Sequence, residues 1–236
     1  MKKLGRLLGR DRVLIVTAVE VERQAILRGL SLPDHVPFED SLAAGDRVVV
    51  AAAGVGVAAA AAASARFLTI AEMAGEPFDA VINAGIAGGF ADRVDVGGMV
   101  IGSRSVAADL GADSPDGFLT LDELGFGSST VTADEDLLNA LRATLPAART
   151  GDVLTLSTVT GTTAAMEVLN RRHPDALAEA MEGYGVATAA AQARASFVEL
   201  RTISNPVGPR DRAAWRIPAA LAALTAAAEK LATVTG

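Results

Sequence analysis

The sequence predicts an α/β fold with helices packed closely on a sheet, and three observations carry that expectation. β-branched apolar runs such as Val13 to Val19 alternate along the chain with segments whose apolar residues recur at helical spacing. Half of the 236 residues are apolar but only 4% are aromatic, so the core must be built from Ala, Val, Leu and Ile. The apolar run that starts at Asp79 passes through Val81-Ile82-Asn83-Ala84 into glycines at 85, 88 and 89, reading as a buried strand followed by a loop where backbone can approach a ligand. A tight turn with no ligand is the other reading of those glycines. A chain of this length encloses a substantial core as one large domain, and residues 13 to 236 contain no internal repeat or boundary linker.

Taken in order, Met1 to Arg12 is the one basic cluster and reads as a flexible tail. A secretion signal would need a longer apolar segment than Val13 to Val19, which runs straight into Glu20 and Glu22. Val13 to Val19 is the first strand. Glu20 to Leu30, with Val21, Ala25, Ile26 and Leu30 on one face, is the first helix, ended by Pro33 and Pro37. Phe38 to Leu42 and Arg47 to Ala53, joined through Ala44-Gly45-Asp46, read as a hairpin. Val57 to Met73 is helical by its alanine content. Gly54-x-Gly56-x-x-Ala59 before it has the form of a dinucleotide-binding turn, but the strand that such a site closes with an acidic residue ends here in Asn83-Ala84-Gly85.

Gly98 to Ser105 is the next strand. Ala107 to Gly127, rich in Gly, Asp and Pro, reads as a long functional or mobile loop. A helix over Ala133 to Leu145 ends at Pro146. A strand over Val153 to Val159 leads into Thr160-Gly161-Thr162-Thr163, followed by a helix over Ala164 to Arg171. A strand over Ala176 to Ala180, a helix over Gly183 to Ala193, a strand over Phe197 to Ile203 and a terminal helix over Ala213 to Thr233 complete the pattern.

Composition removes several function classes. A net charge of -7 argues against a nucleic-acid partner, because phosphate contacts need clustered Lys and Arg. No apolar run is long enough to span a membrane. The absence of cysteine excludes disulfide and thiolate chemistry and suits a cytoplasmic location. His35 and His173 lack spaced carboxylate or cysteine neighbours, so no metal site is expected. There is no G-x-S-x-G elbow and no phosphate-binding P-loop.

What remains is carboxylates and amides. Glu22 follows the first strand; its ordinary reading is a first-turn glutamate favoured by the helix dipole. Glu182, in Ala180-Met181-Glu182-Gly183, puts a carboxylate where strand passes to helix in apolar surroundings, which is costly unless it caps the helix or meets a ligand. Asn205, held extended by Pro206, ends the last strand and is otherwise a turn former. All three fall at carboxyl ends of expected strands, where sites in open α/β sheets gather.

Together, Thr17-Ala18-Val19-Glu20-Val21-Glu22, Asn83-Ala84-Gly85-Ile86-Ala87-Gly88-Gly89, Met181-Glu182-Gly183 and Ser204-Asn205 resemble the nucleoside phosphorylase and nucleosidase superfamily, in order from about Val13 onward. Within it, Ala108-Asp109-Leu110-Gly111, Leu124-Gly125-Phe126-Gly127, Met181 to Ala187 and Arg201 to Asp211 are similar to the futalosine hydrolase branch, which serves menaquinone synthesis. The resemblance implies a three-layer α/β/α fold on a mixed sheet and hydrolysis of an N-glycosidic bond in a small-molecule purine nucleoside, with no cofactor. It makes Glu22 the acid/base residue that activates water. Met181 and Glu182 would hold the ribose, and Ile86, Ala87 and Gly88, with Val159 and Thr160, would line the sugar and base pocket. It also implies a homo-oligomer.

Two departures bear on the subclass. Adenine-releasing nucleosidases of the superfamily carry Asp where this chain has Asn205; an Asn amide donates to the oxygen of a 6-oxopurine, which points to hypoxanthine as the leaving base. The phosphorylases place an arginine shortly after the glycine loop, where Gly97 stands here, with Arg93 and Arg104 nearby. Without a fixed cation, water is the expected nucleophile rather than phosphate. An adenine-releasing nucleosidase acting on methylthioadenosine, adenosylhomocysteine or aminofutalosine, and a non-catalytic nucleotide-binding domain, are the alternatives. Arg104, Arg210 and Arg212 are open either as partners of a substrate tail carboxylate or as solvated side chains.

Overall fold

A computed structural model describes residues 6–33, 38 and 46–233. The central sheet is mixed and eight-stranded. It contains β1 (Val13–Thr17), β2 (Val48–Ala52), β3 (Ala80–Gly89), β4 (Met99–Ala107), β7 (Thr130–Thr132), β8 (Arg149–Thr155), β9 (Ala176–Ala180) and β10 (Ser196–Pro206); β5 (Gly111–Ser114) and β6 (Gly117–Thr120) form a separate two-stranded hairpin. The helices are α1 (Glu20–Leu30), α2 (Val57–Met73), α3 (Glu135–Thr144), α4 (Thr163–Arg172), α5 (Gly183–Gln192) and α6 (Ile217–Thr233).

Successive strand residues face opposite sides of the sheet, so β-branched runs buried throughout must be covered on both. Val13 and Ile15 pack in one apolar cluster with Ile26 of α1, Leu137 of α3 and Leu224 of α6. Leu14 and Val16 pack in another with Leu68 of α2 and Val186 of α5. This is the expected three-layer α/β/α arrangement, and alanine and glycine make it tight. A Cβ at Gly29 would collide with Ala228 of α6, and one at Gly185 with the Val57 carbonyl of α2. Small residues thus let each helix pair approach to backbone contact.

The strand β3 organises the sheet. β10 pairs with it in parallel from Ala80 to Gly89 and so occupies one whole edge. On the other edge β1 pairs in parallel as far as Asn83, and β9 pairs antiparallel only at Gly88 and Gly89. Because β9 continues through β8 and β4 back to β10, these five strands close on themselves. Between Asn83 and Gly88 the second edge of β3 is left open, and the site lies there.

Several expectations are corrected. The glycines at 85, 88 and 89 form no loop but continue β3 to Gly89. The flexible tail expected over Met1 to Arg12 does not extend over residues 6–12: Leu7 and Leu8 are buried in the core, Leu7 and Arg10 bridge, and Arg10 pairs with Asp134 at 2.7 Å. An apolar Leu-Leu pair gains more by burial than a basic stretch gains by staying solvated; residues 1–5 lie outside the described residues. Of the expected hairpin, the first arm lies, Phe38 apart, outside the described residues, and its second arm β2 pairs in parallel with β1. The expected long loop contains the β5–β6 hairpin, turned at Gly117 with φ +122°. No helix among the described residues is long and apolar enough to cross a membrane.

Candidate active site

Glu22 begins the site. It is the third residue of α1, whose N-cap Val19 has no side-chain acceptor to offer; Glu22 Oε2 takes the Val19 and Ala18 amides instead, at 3.2 and 3.0 Å. Oε1 takes the Ile86 amide at 2.9 Å, in the open edge of β3. Glu22 is therefore both the ordinary first-turn glutamate and a carboxylate fixed across a cleft. It is 3% exposed, and burial pushes its carboxyl above the usual range against the Ile86 amide and the Arg201 charge.

Glu182 stands at the start of α5, as the sequence predicts, but its side chain does not cap that helix. Oε1 accepts from the Gly56 amide at 3.2 Å and Oε2 from its neighbour Met181 at 3.3 Å. The apparent dinucleotide turn, with Gly54 and Gly56 at φ +94° and +95°, thus aims its second amide at a carboxylate of the protein itself.

Between the two glutamates lies a residue that the sequence reading missed. Arg201, on β10, is 1% exposed; its Nε donates to Glu199 Oε1 at 2.8 Å, Nη2 donates to Asn83 Oδ1 and lies 3.5 Å from Glu182 Oε2. Burial opposes its charge, but Glu199, Glu182 and Glu22 together hold its pKa above the ordinary value. Glu199 is fully buried, pushed up by desolvation against the Arg201 charge, and accepts from Ser105 Oγ. The signal was present: Glu199 and Arg201 are the two charges of β10, at alternate positions of its buried stretch and hence on one face. Glu179, a lone carboxylate in the apolar β9, is the second omission; Thr160 donates both its amide, at 2.7 Å, and its hydroxyl to it.

Glu22, Ile86, Ala87, Gly88, Val159, Thr160, Met181, Glu182 and Asn205 all line one cleft of about 290 Å³, which Glu179 and Arg210 also line. They come from five segments far apart in sequence. Asn205 Oδ1 accepts from Ser204 Oγ at 2.7 Å, which orients the amide, and Nδ2 donates to the Pro206 carbonyl at 3.0 Å. Of the arginines considered for an anionic group, Arg104 is held bidentately by Asp152 and Arg93 donates to the His173 and Ala176 carbonyls; neither lines the cleft. Arg210 does, with Trp215 5.4 Å away from its guanidinium, while Arg212 approaches that ring from outside the cleft lining. Apolar walls with few fixed polar groups suit a small organic ligand. The carboxyl-rich floor suits a ligand that develops positive charge.

The sequence profile of the Phosphorylase superfamily matches residues 12–235. The chain is 51% identical over 225 residues to a futalosine hydrolase of Streptomyces coelicolor, covering 94% of this chain and 95% of that one. It is 44% identical over 216 residues to a futalosine hydrolase of Acidothermus cellulolyticus, covering 88% and 85%. Among solved structures it resembles the futalosine hydrolase of Helicobacter pylori at 15% identity, with a TM-score of 0.76 and coverage of 94% and 97%. It also resembles the 5'-methylthioadenosine/S-adenosylhomocysteine nucleosidase of Neisseria meningitidis in complex with methylthio-immucillin-A, at 22% identity, with a TM-score of 0.75 and coverage of 94% and 98%. At these identities the structural matches establish the fold.

Proposed function

Because the chain belongs to the Phosphorylase superfamily and, within it, to the futalosine hydrolases, we propose that it hydrolyses the N-glycosidic bond of futalosine, releasing hypoxanthine and dehypoxanthinylfutalosine for menaquinone synthesis. The observation that carries the reading is the meeting of Glu22, Glu182 and Asn205 in one cleft, with the buried Arg201 beside the two glutamates.

In the proposed mechanism, Glu22 accepts a proton from a water molecule whose oxygen attacks C1′ of the ribose. The C1′–N9 bond breaks and its electron pair leaves with the base. Glu182, beside Met181, accepts hydrogen bonds from the ribose hydroxyls, and both carboxyls stabilise the positive charge that builds on the sugar. Asn205 donates to the purine oxygen. An amide cannot supply the proton that the leaving base takes up, so that proton comes from water or from Glu22. Ile86, Ala87, Gly88, Val159 and Thr160 shape the pocket. Water rather than phosphate as nucleophile is supported by the engagement of Arg93 and Arg104 elsewhere and of Arg201 by carboxyls.

The reading extends to a cytoplasmic homo-oligomer. Val19 and Val55 on the cleft wall are 37% and 55% exposed, which suits a subunit contact at its mouth, and the chain has no cysteine for a reducing compartment to affect. Light scattering is expected to give at least a dimer. The decisive experiment is incubation of purified protein with futalosine in phosphate-free buffer. Release of hypoxanthine is expected; no release, or release only with phosphate, would refute the proposal.

A further inference from the structure

We propose that Glu179 reads the purine N1–H, so that Glu179 and Asn205 together select a 6-oxopurine and reject a 6-aminopurine. The inference rests on the reading above, that the cleft takes a purine nucleoside. What points to it is the register of three strands. Glu179 on β9 is paired with Gly88 on β3, and Gly88 is paired on its other edge with Asn205 on β10. Residues directly opposite one another across strands project from the same face. The row Glu179, Gly88, Asn205 therefore spans two strand spacings, ~10 Å, with no side chain at its middle.

That middle space faces the asparagine. A Cβ on Gly88 would stand 3.4 Å from Asn205 Nδ2 and 3.1 Å from Val207 Cγ2. The result is a slot with a bare backbone floor, a carboxyl on one wall and an amide on the other, and all three residues line the cleft. Glu179 is 5% exposed and, among the described residues, Thr160 is its hydrogen-bonding partner; no cation pairs with it. A carboxylate has about four acceptor positions, and Thr160 takes two. A buried carboxylate with spare acceptor capacity and no cation is costly unless a donor completes it. Burial pushes the Glu179 carboxyl up, and an incoming N–H draws it back toward the ionised form.

A 6-oxopurine presents, side by side, the N1–H donor that the carboxylate needs and the oxygen acceptor that the amide needs. A 6-aminopurine presents a lone pair at N1, which would face the carboxylate, and a donor at the 6-position. Each mismatch of this kind leaves a buried polar group unpaired.

The test compares kcat/KM for futalosine and for its 6-amino analogue in the wild type and in Glu179→Gln. Glutamine can still accept from the Thr160 hydroxyl while offering an N–H to an unprotonated N1. The expected result is that futalosine turnover falls roughly ten- to a hundredfold while turnover of the 6-amino analogue falls much less or rises, so that the ratio changes at least about tenfold. Equal loss on both substrates with the circular dichroism spectrum retained would make Glu179 a structural support for Thr160 and overturn the inference, leaving the hydrolase reading intact. A wild type that releases base from neither nucleoside would overturn the hydrolase reading and the inference with it.

Discussion

Glu22 fills the space that a side chain at position 85 would need: a Cβ on Gly85 would stand 2.6 Å from Glu22 Oε1 and 2.8 Å from Arg201 Nη1. This glycine serves neither a turn nor a positive φ; it sits within β3 and its value is the absence of volume beside two charged groups. Gly85→Ala is expected to displace both groups, reducing kcat more than tenfold at a stability cost of about 1–3 kcal/mol. Steady-state kinetics with a parallel melting curve would separate the two effects, and an unchanged kcat would mean that the cluster has slack to absorb a methyl group.

The raised pKa of Glu22 fixes the direction of the pH profile. A general base must be deprotonated, and burial holds this carboxyl protonated to higher pH than an ordinary glutamate. The acid limb of kcat/KM should therefore lie above the usual carboxylate range. Glu22→Gln keeps an acceptor for the Ile86 amide but removes the base; turnover should fall roughly 10²- to 10⁴-fold. An acid limb at the normal glutamate pKa in the wild type would assign the titration to another group.

Arg201 balances Glu199 and Glu182 in the interior, at 2.8 and 3.5 Å. Arg201→Leu leaves the fully buried Glu199 without a cation and should destabilise by about 3–5 kcal/mol in urea titration; adding Glu199→Leu should restore part of it. The pH dependence has a definite sign. Without the arginine, only the Ser105 hydrogen bond opposes the burial that already raises Glu199, so the folded single variant holds this proton more tightly than the unfolded chain does. Its stability should be greatest below the ordinary glutamate pKa and decline as pH rises toward the raised value. A deficit independent of pH would count against an ionised, uncompensated Glu199.

Much of this architecture was legible because apolar periodicity is local. The span of α1, Glu20–Leu30, and that of β9, Ala176–Ala180, coincide with the expected boundaries. What escaped is what depends on partners. The Asn83 to Gly89 glycines read as a loop because glycine favours turns, whereas β10 supplies a pairing strand along the whole of β3. Met1 to Arg12 read as a tail because charge outweighed Leu7 and Leu8 in the composition. Glu22, Glu182 and Asn205 were found by their positions at strand ends, while Glu179, Glu199 and Arg201 sit inside strands: Glu199 and Arg201 pair at alternate positions of β10, and among the described residues Glu179 finds its donor only in Thr160, brought beside it by the fold.

Arg210 is the cation of the cleft wall that no carboxyl of the described residues holds. Its guanidinium lies 5.4 Å from the Trp215 ring, and its stem passes Gly161, where even a Cβ would make only ordinary contact with Arg210 Cγ and Cδ at 3.5 Å. If the bound nucleoside is futalosine, its benzoate tail is the one anionic group that must be placed away from the acidic floor of Glu22 and Glu182, and a cation backed by an aromatic ring is suited to it. The contact is exposed, so its contribution is modest and screened by salt. Arg210→Ala should raise KM for futalosine about three- to tenfold with kcat nearly unchanged, because the tail carboxylate is bound equally in ground and transition states. The effect should shrink at high ionic strength and disappear with a nucleoside whose tail carries an uncharged amide in place of the carboxylate. A fall in kcat instead, with KM unmoved, would place Arg210 in the chemistry rather than in tail recognition.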